Sequence, residues 1–557
     1  MKVKWTKLGM VVFFLLSCVM TGCFVWQYRM PKLQTVEIEE RKGVKEEKMC
    51  PRFPEPVPLQ HPIAVLKEAL EQIDTLLRSS IDNISLPALS AIVVFNDSVL
   101  WNGHFGKLNG SSPSSPSPNE YTVYRIASLS KIFPTLMLYK LWEEGKIESL
   151  DDPLEKYAEN FTVKNPLGKR WDTGIPLAPG PRFPSLTLRR MASQLSGLPR
   201  RLRATSLLWD GDTESATDLL KDDVLVADPG TKCHYSNVAF SLLANVLAQK
   251  ITDSDYEQWV SENLLSKVGM EDTGFDITPG IQNRMAVGVY SSGKPAPLYD
   301  LGWYRPAGQM YSTAADMAKL AMILLGAYSR PFLRQDTLKT MLTPLFRCHD
   351  GYFANSTGTP WEVNEQLGYE VVRKDGDLDG YAATFSLVPQ LKLGLVILMA
   401  GVRPGKQDLL TQAYSSLIPA MESAFRDARR NLTPPPDPLP YVGVFTYKNM
   451  TFYEIKVDVD GVLIMQQFGP QVDTSVPVKY RTIRLDYLEE RVFRVVFERE
   501  YPCKLKVNSA SVSLEAQDRQ LFNFYVFNKK RQSPGFDSPG LNTYNVIRIF
   551  RRPIFTK

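Results

Sequence analysis

Apolar and polar positions along this chain fall into three regimes. The first is Leu8 to Trp26, a run of 19 residues without a charge, preceded by Lys2, Lys4 and Lys7 and followed by Arg29 and Lys32. That length is enough to cross a bilayer as a helix. Glu37 to Lys48 is then charged, and Pro51 to Pro62 is proline-rich, which predicts a stalk leading into an extended segment. The second regime mixes helical and strand periods. Ile63 to Ile81 sets Leu66, Leu70, Ile73, Leu76 and Leu77 on one side of a helix. Ala88 to Gly106 predicts a β-hairpin turning at Asn96-Asp97. Asn109 to Asn119 is a Ser/Pro/Gly/Asn loop. Ile126 to Ser128 reads as extended. Leu129 to Glu144 reads as a helix, with Ile132, Leu136, Leu141 and Trp142 at helical spacing and Gly145 closing it. A further apolar helix is expected over Val238 to Ala248. Strands are expected over Tyr381 to Val388 and Leu393 to Ala400, with a terminal helix over Leu409 to Phe425.

The third regime follows Leu432-Thr433-Pro434-Pro435-Pro436-Asp437-Pro438, a linker by composition. Tyr453 to Val459 and Val462 to Gln467 alternate across Asp460-Gly461, a hairpin signal. Further strands are expected at Tyr480 to Leu485, Val492 to Phe497, Leu505 to Val507, Leu521 to Phe527 and Asn545 to Phe550. The sum is a small antiparallel β-domain, barrel-like, with no visible chemistry.

Length and composition narrow the class. At 557 residues the chain exceeds one ordinary core, so two or three units are expected. Apolar and charged fractions of 44% and 22% are those of a globular protein. The net charge of +5, from 65 basic and 60 acidic residues, is small for this length. The basic clusters, such as Arg200-Arg201 and Lys529-Lys530-Arg531, are scattered. They read as solvated surface, and no nucleic-acid partner is expected.

The charges flanking the apolar run favour a cytoplasmic N-terminus, and its length favours a single-pass signal anchor. A cleaved signal peptide, or a bacterial lipoprotein signal ending at Cys23, are the alternatives. Either main reading puts the bulk of the chain outside the cytosol, and the anchor reading holds it at a membrane. Asn-x-Ser/Thr sequons at Asn83, Asn96, Asn109, Asn160, Asn355, Asn431 and Asn449 agree with a glycoprotein. Cys18 and Cys23 lie in the run. Cys50, Cys233, Cys348 and Cys503 lie beyond it and could form two disulfides in any of three connectivities, or stay as buried thiols.

Candidate chemistry centres on Ser128-Leu129-Ser130-Lys131. A serine at the mouth of a helix meets free N–H groups and the positive end of the dipole, which favour a developing oxyanion. A lysine three residues on shares its face. If desolvated, its amine can take the serine proton. The bland alternative is a helix cap beside a solvated lysine. Two more segments join it: Tyr235-Ser236-Asn237, after the turn Pro229-Gly230, and Lys374-Asp375-Gly376. None of His61, His104, His234 and His349 sits in a triad context, and no two fall at zinc-ligand spacing, so neither a Ser-His-Asp triad nor a metal site is expected. Cys233-His234 reads as packing around the turn.

Ser-x-x-Lys, Tyr-x-Asn and Lys-x-Gly, in this order, resemble the serine β-lactamase and penicillin-binding-protein superfamily. The likeness is closest to the class C enzymes, D,D-peptidases and esterases and to the animal β-lactamase-like proteins. Supporting stretches are Leu141 to Lys146, Leu150 to Leu154, Leu186 to Pro199 and Pro306 to Asp316, within roughly residues 61–425. The resemblance implies an α/β fold, a β-lactamase/transpeptidase-like sandwich of antiparallel sheet and helical cluster, followed by the C-terminal antiparallel β-domain. The expected layout is 1–30 cytoplasmic tip and anchor, 31–60 stalk, 61–428 catalytic domain, 429–440 linker and 441–557 β-domain.

It also implies roles. Ser128 would be the nucleophile; Lys131 and Tyr235 would share its proton, and Tyr235 would return it to the leaving group. Lys374 would supply charge, and Asn237 would orient Lys131 and bind the substrate amide. The backbone N–H groups of Ser128 and Asp377 would form the oxyanion hole, with Gly376 allowing close approach. The implied activity is hydrolysis of a small-molecule or peptide amide or ester through an acyl-enzyme, without metal or organic cofactor. Transfer to an amine is a variant of it. The competing reading is a catalytically weak or inactive binding or scaffold protein that keeps the fold.

Departures from the family pattern matter. The block that normally carries a histidine has Gln194, and Asp375 stands where the family has a hydroxyl residue. Asp375, Asp377 and Asp379 form an acidic ladder at spacing two. That ladder is expected to face the site and repel anionic substrates.

Overall fold

In a computed structural model of the chain, residues 13–23, 56, 59, 61–158, 161–166, 186–405, 408–429, 432–476, 478–497, 504–507, 510–513, 520–539 and 543–553 are described. The chain divides into two units, residues 51–498 with 519–557, and residues 1–50 with 499–518.

The first unit holds an eight-stranded sheet. Helix α1 (Lys67–Ser79) leads into β1 (Ala88–Phe95) and β2 (Ser98–Gly106). Asn96 turns that hairpin in the left-handed region, at φ 55°, which asparagine tolerates better than most residues. The nucleophile segment and the helix α2 (Ile132–Glu143) follow, then α3 (Asn237–Leu247) and α4 (Ala314–Leu324). The chain returns to the sheet with β3 (Phe346–Arg347), β4 (Ser356–Thr357), β5 (Glu362–Gln366), β6 (Tyr369–Leu378), β7 (Tyr381–Val388) and β8 (Leu393–Ala400), and α5 (Leu409–Arg429) closes it. The order is β2-β1-β8-β7-β6-β5-β4-β3, and every pairing is antiparallel.

Strands β1, β7 and β8 are buried at every position, which requires a layer on each face. Period two divides their side chains. Leu89, Ala91, Val93, Leu395, Ile397 and Met399 pack with Leu70, Ile73 and Leu77 of α1 and Tyr414, Leu417 and Met421 of α5. Val94, Val396, Leu398 and Ala400 face the helical cluster built on α2, α3 and α4. Helix α2 is apolar nearly all round and runs through the middle of that cluster, as an all-apolar helix must in a soluble core. The expected fold class is the one observed.

The same unit contains a closed eight-stranded barrel, Gly443–Tyr447, Thr451–Val457, Leu463–Phe468, Thr482–Glu489, Val492–Val496, Leu521–Phe524, Gly535–Ser538 and Thr543–Ile549. Its first and last strands pair, Val444 opposite Ile549. Phe445, Ile455, Met465, Leu485, Phe493, Phe522, Phe536 and Val546 are buried in it. Two of its strands, Gly443–Tyr447 and Gly535–Ser538, carry no expectation from sequence.

In the second unit, residues 13–23 form an exposed helix, and Lys504–Val507 pairs with Ala510–Ser513. Among the described residues no helix is long and apolar enough to cross a membrane. The remainder of Leu8 to Trp26 lies outside the described residues, as do Cys50, Cys503, Asn160 and Asn431. Of the cysteine alternatives, Cys233 and Cys348 form a disulfide.

Candidate active site

The nucleophile segment departs from the simple strand-to-helix junction expected. The strand ends at Arg125, Ala127 to Lys131 forms a 3₁₀ turn, and α2 begins only at Ile132. Ala127 sits at φ 48°, a left-handed backbone that costs a residue with a Cβ roughly 1–2 kcal/mol. That reversal lifts Ser128 off the strand and turns Lys131 inward. Ser128 is half-buried and Lys131 is 0% exposed.

Lys131 donates from Nζ to Ser128 Oγ at 3.2 Å and to Ala307 O at 2.7 Å. Ala307 lies in a four-residue helix, Arg305–Gly308, and helix ends leave carbonyls without intrahelical partners. Ser130 fixes this segment by accepting the Met310 N–H at 3.0 Å. Among the described residues no bond runs from Asn237 to Lys131, so the Ala307 carbonyl takes the orienting part expected of Asn237. Asn237 is the first residue of α3, capped by Ser236, and its own N–H donates to Arg200 O at 3.2 Å.

Tyr235 donates from its hydroxyl to Ser128 Oγ at 2.7 Å. Gln194 holds its turn, accepting the Ser236 N–H at Oε1 (2.7 Å) and the His234 N–H at its carbonyl (2.9 Å). Gln194 itself is at φ 59°. The Cys233–Cys348 disulfide ties the turn to a loop whose Phe353, 57% exposed, meets the Tyr235 ring edge-on at 6.1 Å.

Three cations surround that ring. Lys131 Nζ is 4.9 Å from its centroid, Arg200 Cζ 5.1 Å and Lys374 Nζ 5.5 Å. Burial pushes the phenol up, but the Lys131 and Lys374 charges, with hydrogen bonds from Lys131 and Ser128, outweigh it and hold Tyr235 below its ordinary range. Burial pulls Lys131 down, Lys374 adds to that, and Tyr235 opposes it without reversing it. Both groups therefore exchange protons more readily than free ones.

On β6, Gly376 lies against the Ser128 backbone and Lys374 lies beside the Tyr235 ring. A Cβ on Gly376 would stand 2.5 Å from Ile126 O and 2.8 Å from Ser128 N, so only glycine lets the strand approach. Lys374 is buried against Glu362 of β5, a residue the sequence did not single out.

Asp375 and Asp377 point the other way, which corrects the expected acidic face. Period two forbids them from sharing a face with Lys374 and Gly376. Asp375 accepts from Thr384 Oγ1 at 2.7 Å and pairs with Arg373 at 2.8 Å. Asp377 pairs with Arg403 at 3.0 Å. Asp379, past the strand end, accepts from Tyr290 Oη at 3.4 Å. Among the described residues no group of His, Cys, Asp and Glu could hold a metal ion.

A family model described as Beta-lactamase matches residues 73–416. The chain belongs to the β-lactamase family. A human beta-lactamase-like protein is 60% identical over 507 residues, covering 91% of this chain and 100% of that one. Beta-lactamase-like protein 2 of Dictyostelium discoideum is 29% identical over 396 residues, 68% of each. Among solved structures, the beta-lactamase/D-alanine carboxypeptidase of Yersinia pestis has a TM-score of 0.52 at 21% identity, covering 65% of this chain and 98% of that one. The octameric penicillin-binding protein homologue of Pyrococcus abyssi has a TM-score of 0.50 at 19% identity, covering 84% and 96%. At those identities the two solved structures show a shared fold. Within this β-lactamase family member, the three motifs, separated by more than a hundred residues in sequence, come together around Ser128: Lys131 and Tyr235 at its oxygen, Gly376 against its backbone N–H and Lys374 beside the Tyr235 ring.

Proposed function

We propose that this chain is a serine hydrolase that cleaves an amide, peptide or ester through an acyl-enzyme on Ser128. The observation that carries the proposal is that Ser128 Oγ is met by both the Lys131 amine and the Tyr235 hydroxyl. A serine hydroxyl is a weak nucleophile until a neighbouring base takes its proton, and both neighbours are poised to do so.

In the proposed step, ionised Tyr235 takes the Ser128 proton as Oγ bonds to the acyl carbon. The carbonyl oxygen receives the electron pair and is met by the backbone N–H groups of Ser128 and Asp377. Collapse breaks the bond to the leaving group, which takes the proton back from Tyr235. Water then attacks by the same route and releases the acid. Lys131 relays the proton, Asn237 contacts the substrate amide, and Gly376 keeps the strand edge against the nucleophile. The scheme uses no metal or organic cofactor.

The test is intact-mass analysis after a fluorophosphonate probe. One adduct is expected on wild type and none on Ser128→Ala. Unlabelled wild type, or label that survives in Ser128→Ala, overturns the proposal and leaves a binding protein of the same fold.

The proposal also puts the main domains outside the cytosol, anchored at Leu8 to Trp26. The Cys233–Cys348 bond supports this, because disulfides persist in oxidising compartments. Protease treatment of intact microsomes should leave the main domains whole, and digestion without detergent overturns the topology.

A further inference from the structure

Glu362 begins β5 and stands opposite Arg373 in the register with β6. Its carboxylate nonetheless meets Lys374, one residue further on along β6, in a direct ion pair. The pair is deeply enclosed, Lys374 being 1% and Glu362 7% exposed. Glu362 Oε1 accepts from Lys374 Nζ, and Oε2 accepts the Asp375 N–H at 3.0 Å. Lys374 also donates to Asp375 O at 2.8 Å. Two of its three donors are thus used by the protein itself, one of them by the Glu362 carboxyl group, which burial pushes up and the Lys374 charge pulls back down.

We propose that Glu362 is a positioning residue that keeps Lys374 charged beside Tyr235 and neutralises it towards substrate, so that the site takes acyl substrates without a carboxylate at the Lys374 end. This rests on the reading of Ser128 as the nucleophile.

A buried ammonium near a second amine sheds its proton unless a carboxylate compensates it. Glu362 supplies that compensation, and the lysine stays within 5.5 Å of the Tyr235 ring as a cation. Burial pulls Lys374 down, and Glu362, followed by Tyr235, lifts it above its ordinary value. Removing the carboxylate lets Lys374 lose its proton, and Tyr235 then loses one of the two charges that ease its ionisation.

A substrate carboxylate gains little at the intact pair, because the attraction of Lys374 is cancelled by Glu362. Where Glu362 is replaced by an amide, an incoming carboxylate takes its place and restores the ammonium. Facing the pair are Lys131 on the nucleophile turn, Tyr235 before α3 and Tyr352 on the loop before β4, while Asp375, turned to the other face of β6, adds a negative charge close by. Arg200, exposed over the other part of the Tyr235 ring, is the further cation at the cleft.

The experiment compares a neutral and a carboxylate-bearing fluorophosphonate, otherwise matched, by the rate of Ser128 labelling across pH. In Glu362→Gln the neutral probe's rise is expected to move up by about one pH unit. The ratio of anionic to neutral rates is expected to rise about tenfold, the worth of one charge-assisted contact. Glu362→Asp keeps the charge and should stay within a few tenths of a pH unit of wild type.

An unchanged midpoint and ratio in Glu362→Gln overturns the proposal, as does an equal shift in Glu362→Asp, which would mark packing as the cause. Should Glu362→Gln not fold, Arg200→Ala carries the test, since it removes an exposed cation and leaves the pair intact. There the neutral probe must outpace the anionic one, and equality or the reverse order overturns the proposal. Wild type that never labels at Ser128 is a separate failure. It removes the nucleophile reading and the inference with it.

Discussion

Two protons govern the site at the scale of single residues. Lys131 and Tyr235 are both held below their ordinary ranges, and in the proposed step Tyr235 acts in the form that has lost its proton. Labelling of Ser128 is therefore expected to rise with pH and to level off below pH 10, where free lysine and tyrosine would still be rising. A rise that continues to pH 11 would mean that neither group is the base. Tyr235→Phe removes the hydroxyl that touches Ser128 Oγ and is expected to slow labelling by about a thousandfold, a usual cost for a lost general base. Stopped or quenched labelling time courses measure it, and a change under tenfold would shift the role to Lys131. Gly376→Ala forces a methyl against the Ile126 carbonyl and the Ser128 amide. Its expected cost is about 1–3 kcal/mol of stability from overpacking, read as a lowered melting temperature together with slower labelling.

At the scale of elements, strand period and tertiary contact separate what was legible in the sequence from what was not. Ser128, Lys131, Tyr235, Asn237, Lys374 and Gly376 could be found because each motif is local, a spacing of two or three residues on a turn or strand. The long apolar strands and the helix ending at Arg429 were legible for the same reason. Glu362 and the Ala307 carbonyl were not, because each acts across a fold contact with no local signature; Gln194 stood out only as a departure from the family pattern, and its hold on the Tyr235 turn is a tertiary contact. The acidic ladder was misassigned although the pattern held the answer. If Lys374 and Gly376 face the nucleophile, alternation turns Asp375 and Asp377 away. Two barrel strands went unassigned, and one of them, Gly535–Ser538, is too short and too rich in small residues to show alternation. The corrected geometry changes an expectation about substrate charge. Asp375→Thr should leave the ranking of neutral, anionic and cationic esters as in wild type. It should lower stability by about 1 kcal/mol through its lost contacts to Thr384 and Arg373. A changed ranking in kcat/KM would mean that the carboxylate reaches the cleft.

For the molecule as a whole, surface chemistry gives a test of compartment that does not depend on activity. Glycan transfer needs an asparagine whose amide stands clear of the fold, in a chain that enters the secretory pathway. Asn83, Asn96, Asn355 and Asn449 are exposed, and Asn109 is half-buried with its side-chain oxygen accepting the Ser111 N–H at 3.0 Å. Asn96 turns the β1–β2 hairpin and Asn449 lies between the barrel strands Gly443–Tyr447 and Thr451–Val457. Both hold a left-handed backbone at a loop, φ 55° and φ 56°, with the side chain outward. A sugar at either would disturb no core residue. Expressed in a eukaryotic cell, the chain is expected to carry glycans at those four asparagines, with Asn109 modified least. Enzymatic deglycosylation should convert each modified asparagine to aspartate, and peptide mass mapping reads the change site by site. The proposed single-pass topology makes one further demand. Modification must occur on both sides of the long sequence gap between Asn96 and Asn449, because one crossing near the N-terminus puts the whole remainder on one side of the membrane. Glycans on Asn83 and Asn96 without any on Asn449 would require a second crossing. No glycan at any of the four would leave the chain in the cytosol and turn the apolar run Leu8 to Trp26 into something other than an anchor.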